Sequence, residues 1–269
     1  EILRLFGNTL RTIIYGSVLF ELFAAIVIRG PIEPFFPNYD GDQPPAVAFY
    51  WTQGNLFSDD RIQGIVGNSN MLAYMSMIAV VVFAIERAAN TTSRLTTVLS
   101  FATTLPMLIL SRSASIGFAL AAVMAAAIVS IAAEGKERDI RHRYYRIAWA
   151  VIGVGSLFVL TYRAQIFSLI GKSPDMTGRT KIWKIVLDLI DQRPLQGWGW
   201  SSYWVPWVEP YDGLVIINNV PYYQAHNAFL DIWLQLGIVG LSLFALALFL
   251  TFVPLWRLAV RHTSALYLW

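Results

Sequence analysis

The stretch "QAHNAFLDIWLQLGIVGLSLFALALFL", residues 224–250, decides how the rest of the chain is read. From Phe229 to Val253 the sequence is apolar almost without interruption. About 20 such residues carry a helix across the hydrocarbon of a bilayer. The composition agrees: 56% of the residues are hydrophobic, 14% are charged, and the mean hydropathy is +0.53. Soluble domains carry about 25% charged residues. Five more apolar runs, Leu10–Ile28, Met71–Ile85, Leu95–Leu110, Ile116–Ala133 and Ile147–Tyr162, complete the pattern. They predict an all-α polytopic membrane protein with about six transmembrane helices. The first residue is Glu1 and the last residues, "SALYLW", read as the opening of another apolar run. The 269 residues are therefore read as a single transmembrane domain, a piece of a longer polytopic chain. The absence of cysteine excludes disulfides, a thiol nucleophile and cysteine-based metal sites.

Charge placement gives an orientation. Residues 134–146, "EGKERDIRHRYYR", are strongly basic; Arg87 and Arg94, Arg257 and Arg261, and Arg4 and Arg11 mark three further connecting or terminal segments. With six alternating spans all four fall on one side, which the positive-inside rule makes cytoplasmic. The opposite face then receives a first loop, residues 29–70, the turn Ser111–Ser115, and a long loop, residues 163–228, carrying short amphipathic helices. Long loops in compact proteins are usually functional or disordered, and the density of Trp and Tyr in the last one argues against disorder.

The polar residues on that face are the candidates for chemistry. Asn227 reads as an N-cap for the apolar helix, which explains the asparagine but not its neighbour. His226, one of three histidines, sits where a helix N-terminus disfavours the imidazolium, and a neutral imidazole is suited to accept a proton. Arg112, in "LSRSASIGFAL", is flanked closely by apolar sequence and stands against the positive-inside bias; snorkelling to headgroups is its plain reading, anion binding its functional one. Arg179 lies in the first turn of an amphipathic helix with an Ile182, Ile185, Val186, Leu189 stripe, capped by Thr177 or Gly178. The macrodipole disfavours a cation there, which points to an anionic partner. Arg61 opens "RIQGIVGNSN", where Asn68 or Asn70 can cap the next helix; alone it reads as a helix entry. Asp40 and Asp42 in "NYDGD" have the spacing of a metal pair, but Asp-Gly is also a common turn, and no metal is expected. "RPLQGWGWSSYW" stops the amphipathic helix at Pro194, turns at Gly197 and Gly199, and offers flat faces at Trp198, Trp200, Tyr203, Trp204 and Trp207. These suit either interface anchoring or stacking on sugar rings.

Taken in order, "RIQGIVGNSN", "LSRSASIGFAL", "TGRTKIW…PLQGWGW" and "HNAFLDIWLQLGIVGL" resemble the motifs of the O-antigen ligase and polymerase superfamily, from about Arg61 to Leu241. The resemblance implies a membrane glycosyltransferase of the bacterial cytoplasmic membrane, inverting, metal-independent and cofactor-free, acting on the periplasmic face. Its donor would be a glycan linked to undecaprenyl pyrophosphate, and its acceptor a hydroxyl of a glycan, lipid or protein. Carried onto this sequence, it implies that Arg112 and Arg179 bind the donor pyrophosphate with Arg61 as a further contact. His226 would be the catalytic base, and Asn227, Gly178, Gly197 and Gly199 would support the site. Partners are then lipids and lipid-linked glycans, and no nucleic acid. The rival class is a transporter or flippase for an anionic or lipid-linked solute, whose folds usually show repeats and interrupted helices; neither is evident in the sequence. A purely structural membrane subunit is a third reading.

Overall fold

The computed structural model describes residues 1–34, 49–162, 165, 178–217 and 220–261. Asp40, Asp42 and Thr177 lie outside the described residues. The described part is an all-α polytopic membrane protein, with helices at all six predicted positions. Four of them, Ile2–Ile28, Ser69–Ala88, Ala114–Ala133 and Ala228–Leu258, are long and apolar enough to cross a membrane. The chain divides into two compact units, Glu1–Glu137 and Arg138–Arg261.

In the first unit, α1 (Ile2–Leu22) runs into a π-helical turn, Phe23–Ile28, and ends at Arg29 in the left-handed region. Helices α2 (Ser69–Ala88), α3 (Arg94–Leu110) and α4 (Ala114–Ala133) follow. Asn68, rather than Asn70, caps α2, its side chain accepting from the Asn70 and Met71 N–H groups at 2.9 and 3.1 Å. Leu10 and Ile14 of α1, Leu72, Val82 and Phe83 of α2 and Met107 of α3 form the shared core.

Between helices in lipid, apolar contact gives little net drive, because lipid tails are as apolar as leucine. Polar fasteners therefore count for more. Arg11 of α1 is buried against Glu86 of α2, and its Nε donates to Ser100 Oγ of α3 at 2.9 Å. Its guanidinium also lies 4.6 Å over the Phe83 ring. Arg11, counted in the sequence as a basic marker of the cytoplasmic side, is thus neutralised inside an interhelical ion pair. Gly7 makes room for it, since any side chain there would collide with the Glu86 carboxylate.

The second unit begins with α5 (Arg138–Thr161). The basic segment 134–146 is therefore not a loop as expected: from Arg138 onward it forms the first turns of α5, with Asp139 favourably placed near the helix start. One short amphipathic helix of the long loop is described, α6 (Arg179–Ile190), which buries Ile182, Val186 and Ile190 at helical spacing. It ends before Pro194. A two-residue ribbon follows, β1 (Ile216–Ile217) antiparallel to β2 (Val220–Pro221), a small strand pair the sequence did not predict.

The last helix, α7 (Ala228–Arg261), departs most from expectation. It is broken at Gly237, whose φ and ψ are 65° and −170°. The loop 194–199 fills the break with its own backbone. Trp198 N–H donates to Leu234 O and Gly199 N–H to Gln235 O, both at 2.9 Å, and Ile238 N–H donates to Pro194 O at 2.8 Å. The Gln235 side chain accepts from Ser201 N–H at 2.7 Å. Leu234 O, Gln235 O and Ile238 N–H, freed by the break, are thereby repaired inside the protein, as irregular backbone in a membrane protein requires. The expected uninterrupted span Phe229–Val253 is thus corrected, and with it the reading that no helix is interrupted. Ala228–Leu236 forms a separate piece, with Leu230, Trp233 and Leu234 packed into the α6 core. The stretch after the break still holds the roughly 20 apolar residues a span requires.

Candidate functional site

In the first unit, the loop before α2 meets the turn between α3 and α4. Arg61 donates from Nε to Ser111 O at 2.9 Å and from Nη2 to Asn70 Oδ1 at 2.8 Å. Ser113 Oγ reaches the same Asn70 oxygen at 2.9 Å. Arg61 thus fixes the carbonyl directly before Arg112. Arg112 itself is in the left-handed region (φ 48°), a conformation that costs non-glycine residues about 1–2 kcal/mol. It pairs with Asp59, donating to the backbone carbonyl and to Oδ1, the latter at 3.3 Å. Both partners are exposed, so the pair is screened and weak.

Behind this loop lies a residue that sequence reading missed. Glu21 of α1 is completely buried. Its carboxylate accepts from Gln63 N–H at 3.0 Å and Gly64 N–H at 2.6 Å, and from Thr52 Oγ1 at 3.0 Å. A carboxylate holding two backbone amides fixes the path of the chain that presents Arg61. The one signal in the sequence is an acid near the end of an apolar run. Gln53, Asp60, Arg61, Gln63, Asn68 and Asn70 line a polar cavity of about 200 Å³ beside it. Burial lowers the Arg61 guanidinium from its ordinary value while Asp60 works the other way; the group stays cationic.

The second unit brings Arg179 and His226 together. Arg179 is the first residue of α6, after Gly178 in the left-handed region (φ 84°), which settles the open choice of cap on Gly178. His226 precedes α7 and is also left-handed, at φ 51°. Four hydrogen bonds hold its loop. Trp183 of α6 donates to Ala225 O at 2.9 Å; Ala225 N–H donates to Asp231 Oδ2 at 3.0 Å; and Asn227 accepts from Phe229 and Leu230 N–H at 3.1 and 3.4 Å. Asn227 is therefore the predicted cap. Asp231 and Trp183 were not singled out in the sequence, although an acid four residues past Asn227 suits the first helical turn. The imidazole meets the Tyr222 ring edge-on at 5.7 Å. Removal of water by its neighbours, and then the Arg179 charge, lower the His226 pKa below its ordinary value. The side chain remains accessible and is neutral at physiological pH, the form that takes up a proton.

The glycines of the aromatic loop are structural. At Gly197 (φ 69°) a Cβ would lie 2.6 Å from the Gln235 carbonyl carbon, so close approach to the α7 break excludes any side chain. Gly199 requires only its positive φ of 102°. Of the aromatic faces, Trp200, Tyr203 and Trp207 are exposed, but Trp204 is fully buried in the α6 core and offers no face to a ligand, a correction to the expectation. Alternating exposure along an irregular loop has no period that the sequence could reveal. Among the described residues, no group of three or more His, Asp or Glu side chains gathers in a way that could hold a metal.

Four residues therefore divide two and two: Arg61 with the Arg112 turn in one unit, Arg179 with His226 in the other. Comparison with known proteins bears on what they do. A family model described as O-antigen ligase matches residues 95–245, more than half of the chain. The exopolysaccharide production protein ExoQ of Rhizobium meliloti (strain 1021) is 28% identical over 117 residues, which is 39% of this chain and 26% of that protein. The match thus spans about a quarter of the relative's length. No solved structure matches the chain.

Proposed function

The chain belongs to the O-antigen ligase family, and from that premise we propose that it is a membrane glycosyltransferase acting on a lipid-linked glycan. The donor is a glycan on undecaprenyl pyrophosphate, the acceptor a hydroxyl of a glycan, lipid or protein, and transfer takes place on the periplasmic face of the bacterial cytoplasmic membrane. The observation that carries this reading is the neutral, accessible imidazole of His226 held beside the cationic Arg179.

The chemistry follows from those two groups. His226 takes the proton of the acceptor hydroxyl as its oxygen attacks the anomeric carbon. The bond from that carbon to the pyrophosphate oxygen breaks on the opposite face, which inverts the configuration. Undecaprenyl pyrophosphate departs with the bonding electron pair. A leaving group that gains negative charge needs fixed positive charge near it, and guanidinium matches phosphate geometry. Arg179 stands at the N-terminus of α6, where the helix adds its own partial positive charge. Arg112, with Arg61 bracing its turn, is a second cation of the same kind. Fixed arginines supply the charge that a metal supplies in other transferases, so the reaction is proposed to proceed without one.

The interrupted α7 is the observation that favours a transporter, because broken helices recur at transport sites. The break here is bridged by the loop 194–199, which takes up Leu234 O, Gln235 O and Ile238 N–H, so those groups are not open to a solute. One experiment separates the two readings. Purified protein in proteoliposomes is given a prenyl-pyrophosphate-linked glycan and an acceptor. Transferase action yields a new glycosidic bond that disappears in His226→Ala while donor binding persists. Movement of donor across sealed vesicles with no new bond, or full product from His226→Ala, overturns the proposal.

A further inference from the structure

The second unit carries another site, at the end that the sequence places in the cytoplasm. The first turns of α5 and the last turns of α7 line an open groove of about 380 Å³. Its walls are of two kinds: His142, Arg146, Arg257 and Arg261 are basic, while Tyr145, Trp149 and Trp256 are aromatic. The aromatic side is built. Trp256 meets Tyr145 and Trp149 edge-on at 5.5 and 5.3 Å, and Phe252 stacks on it one turn earlier at 6.1 Å.

Arg141, one turn before Tyr145, is only 7% exposed. Its Nη2 donates to the carbonyl of Arg261 at 3.2 Å, and its Nε, fully buried, has no hydrogen-bond partner. Among the described residues, the two ion pairs present involve Arg11 and Arg112, so no carboxylate is paired with Arg141, Arg146, Arg257 or Arg261. A buried guanidinium without a counter-charge is costly, and three further arginines around one hollow add repulsion. An anion in the cavity relieves the repulsion among Arg146, Arg257 and Arg261, and it sets a counter-charge against the Arg261 wall that Arg141 holds through the Arg261 carbonyl.

We propose that this cavity binds the headgroup phosphate of an anionic phospholipid. The basic residues take the phosphate, and the Trp and Tyr rings lie at the level where such rings sit in a bilayer, between headgroups and acyl chains. The apolar surface of α5 continues outward from it, with Ile152 and Leu157 exposed on the two flanks of the face that carries Tyr145 and Trp149. Basic pockets between helices on the cytoplasmic side are suited to anionic headgroups, each arginine contributing about a fivefold gain in affinity. This site is independent of the proposed transfer reaction.

The test uses the full-length protein, purified and delipidated in detergent. Native mass spectrometry counts retained lipid after addition of phosphatidylglycerol, phosphatidylcholine or inorganic phosphate. The wild type retains phosphatidylglycerol at least fivefold over phosphatidylcholine. The double change Arg257→Gln with Arg261→Gln, at exposed positions, lowers that retention by about twentyfold. Arg138→Gln with Arg143→Gln removes the same charge from α5, outside the cavity, and leaves retention unchanged. Equal loss in both double variants assigns the effect to general attraction by a basic segment and overturns the site. So does equal retention of the two lipids. Displacement of phosphatidylglycerol by an equal concentration of inorganic phosphate overturns the lipid as ligand. The single change Arg146→Gln, also exposed, reads the same contrast if the first double variant does not fold.

Discussion

Gly237→Ala probes the least expected feature of the fold. Gly237 has φ 65° and ψ −170°, a region open in practice to glycine alone. Forcing alanine into it costs about 1–3 kcal/mol. The added Cβ would also collide with the Leu195 carbonyl and approach Gln196 N to 2.6 Å. Both neighbours are backbone and cannot swing aside, so the loop 194–199 must part from α7. Three backbone hydrogen bonds cross that seam, from Trp198, Gly199 and Ile238, each worth about 1 kcal/mol net. Together the strain and the lost bonds give roughly 4–6 kcal/mol. For a chain of this size that lowers the thermal midpoint by on the order of 10 °C or more. The assay is intrinsic tryptophan fluorescence on heating in detergent, since Trp198 and Trp233 both adjoin the seam. Two comparisons isolate the cause. Gly199→Ala meets nothing within 4 Å and suffers only its φ of 102°, so it loses a few degrees. Gly153→Ala, in the middle of α5 with open space around it, is neutral or slightly stabilising. If Gly237→Ala melts with Gly153→Ala, the loop does not hold the break and the reasoning fails.

Other outcomes follow from the site. Transfer activity is flat above neutral pH and falls as His226 takes up a proton, with an inflection below the ordinary histidine value of about 6.5. Because the Arg179 charge contributes to that depression, Arg179→Gln moves the inflection of any residual activity upward; an unmoved inflection separates the two residues. Arg112→Lys and Arg179→Lys weaken donor affinity nearly as much as alanine does, because lysine lacks the planar fork; full rescue by lysine, measured with a prenyl pyrophosphate, counts against a phosphate role. Glu21→Gln keeps the shape but loses the charge that holds Gln63 and Gly64 N–H, costing about 1–3 kcal/mol in thermal or chemical unfolding. An unaltered midpoint means that the Arg61 loop is held by other contacts.

The sequence determined what periodicity and composition can encode. Helices sit where the apolar runs are, because each run must bury or lipid-solvate its side chains. Asn68 and Asn227 cap where capping residues precede such runs. The candidate residues were legible because polar groups beside apolar sequence are costly unless used. What it left open was decided by contacts between segments far apart in the chain. Arg11 and Glu86 neutralise each other across 75 residues. Glu21 reaches a loop more than 40 residues away. Trp204, indistinguishable in sequence from its exposed neighbours, fills a core. The break in α7 is invisible in a continuous apolar run because Gly237 alone permits a helix as readily as a turn. It becomes a break because residues 194–199 supply the hydrogen bonds that the helix gives up, and only the folded chain brings those two stretches together.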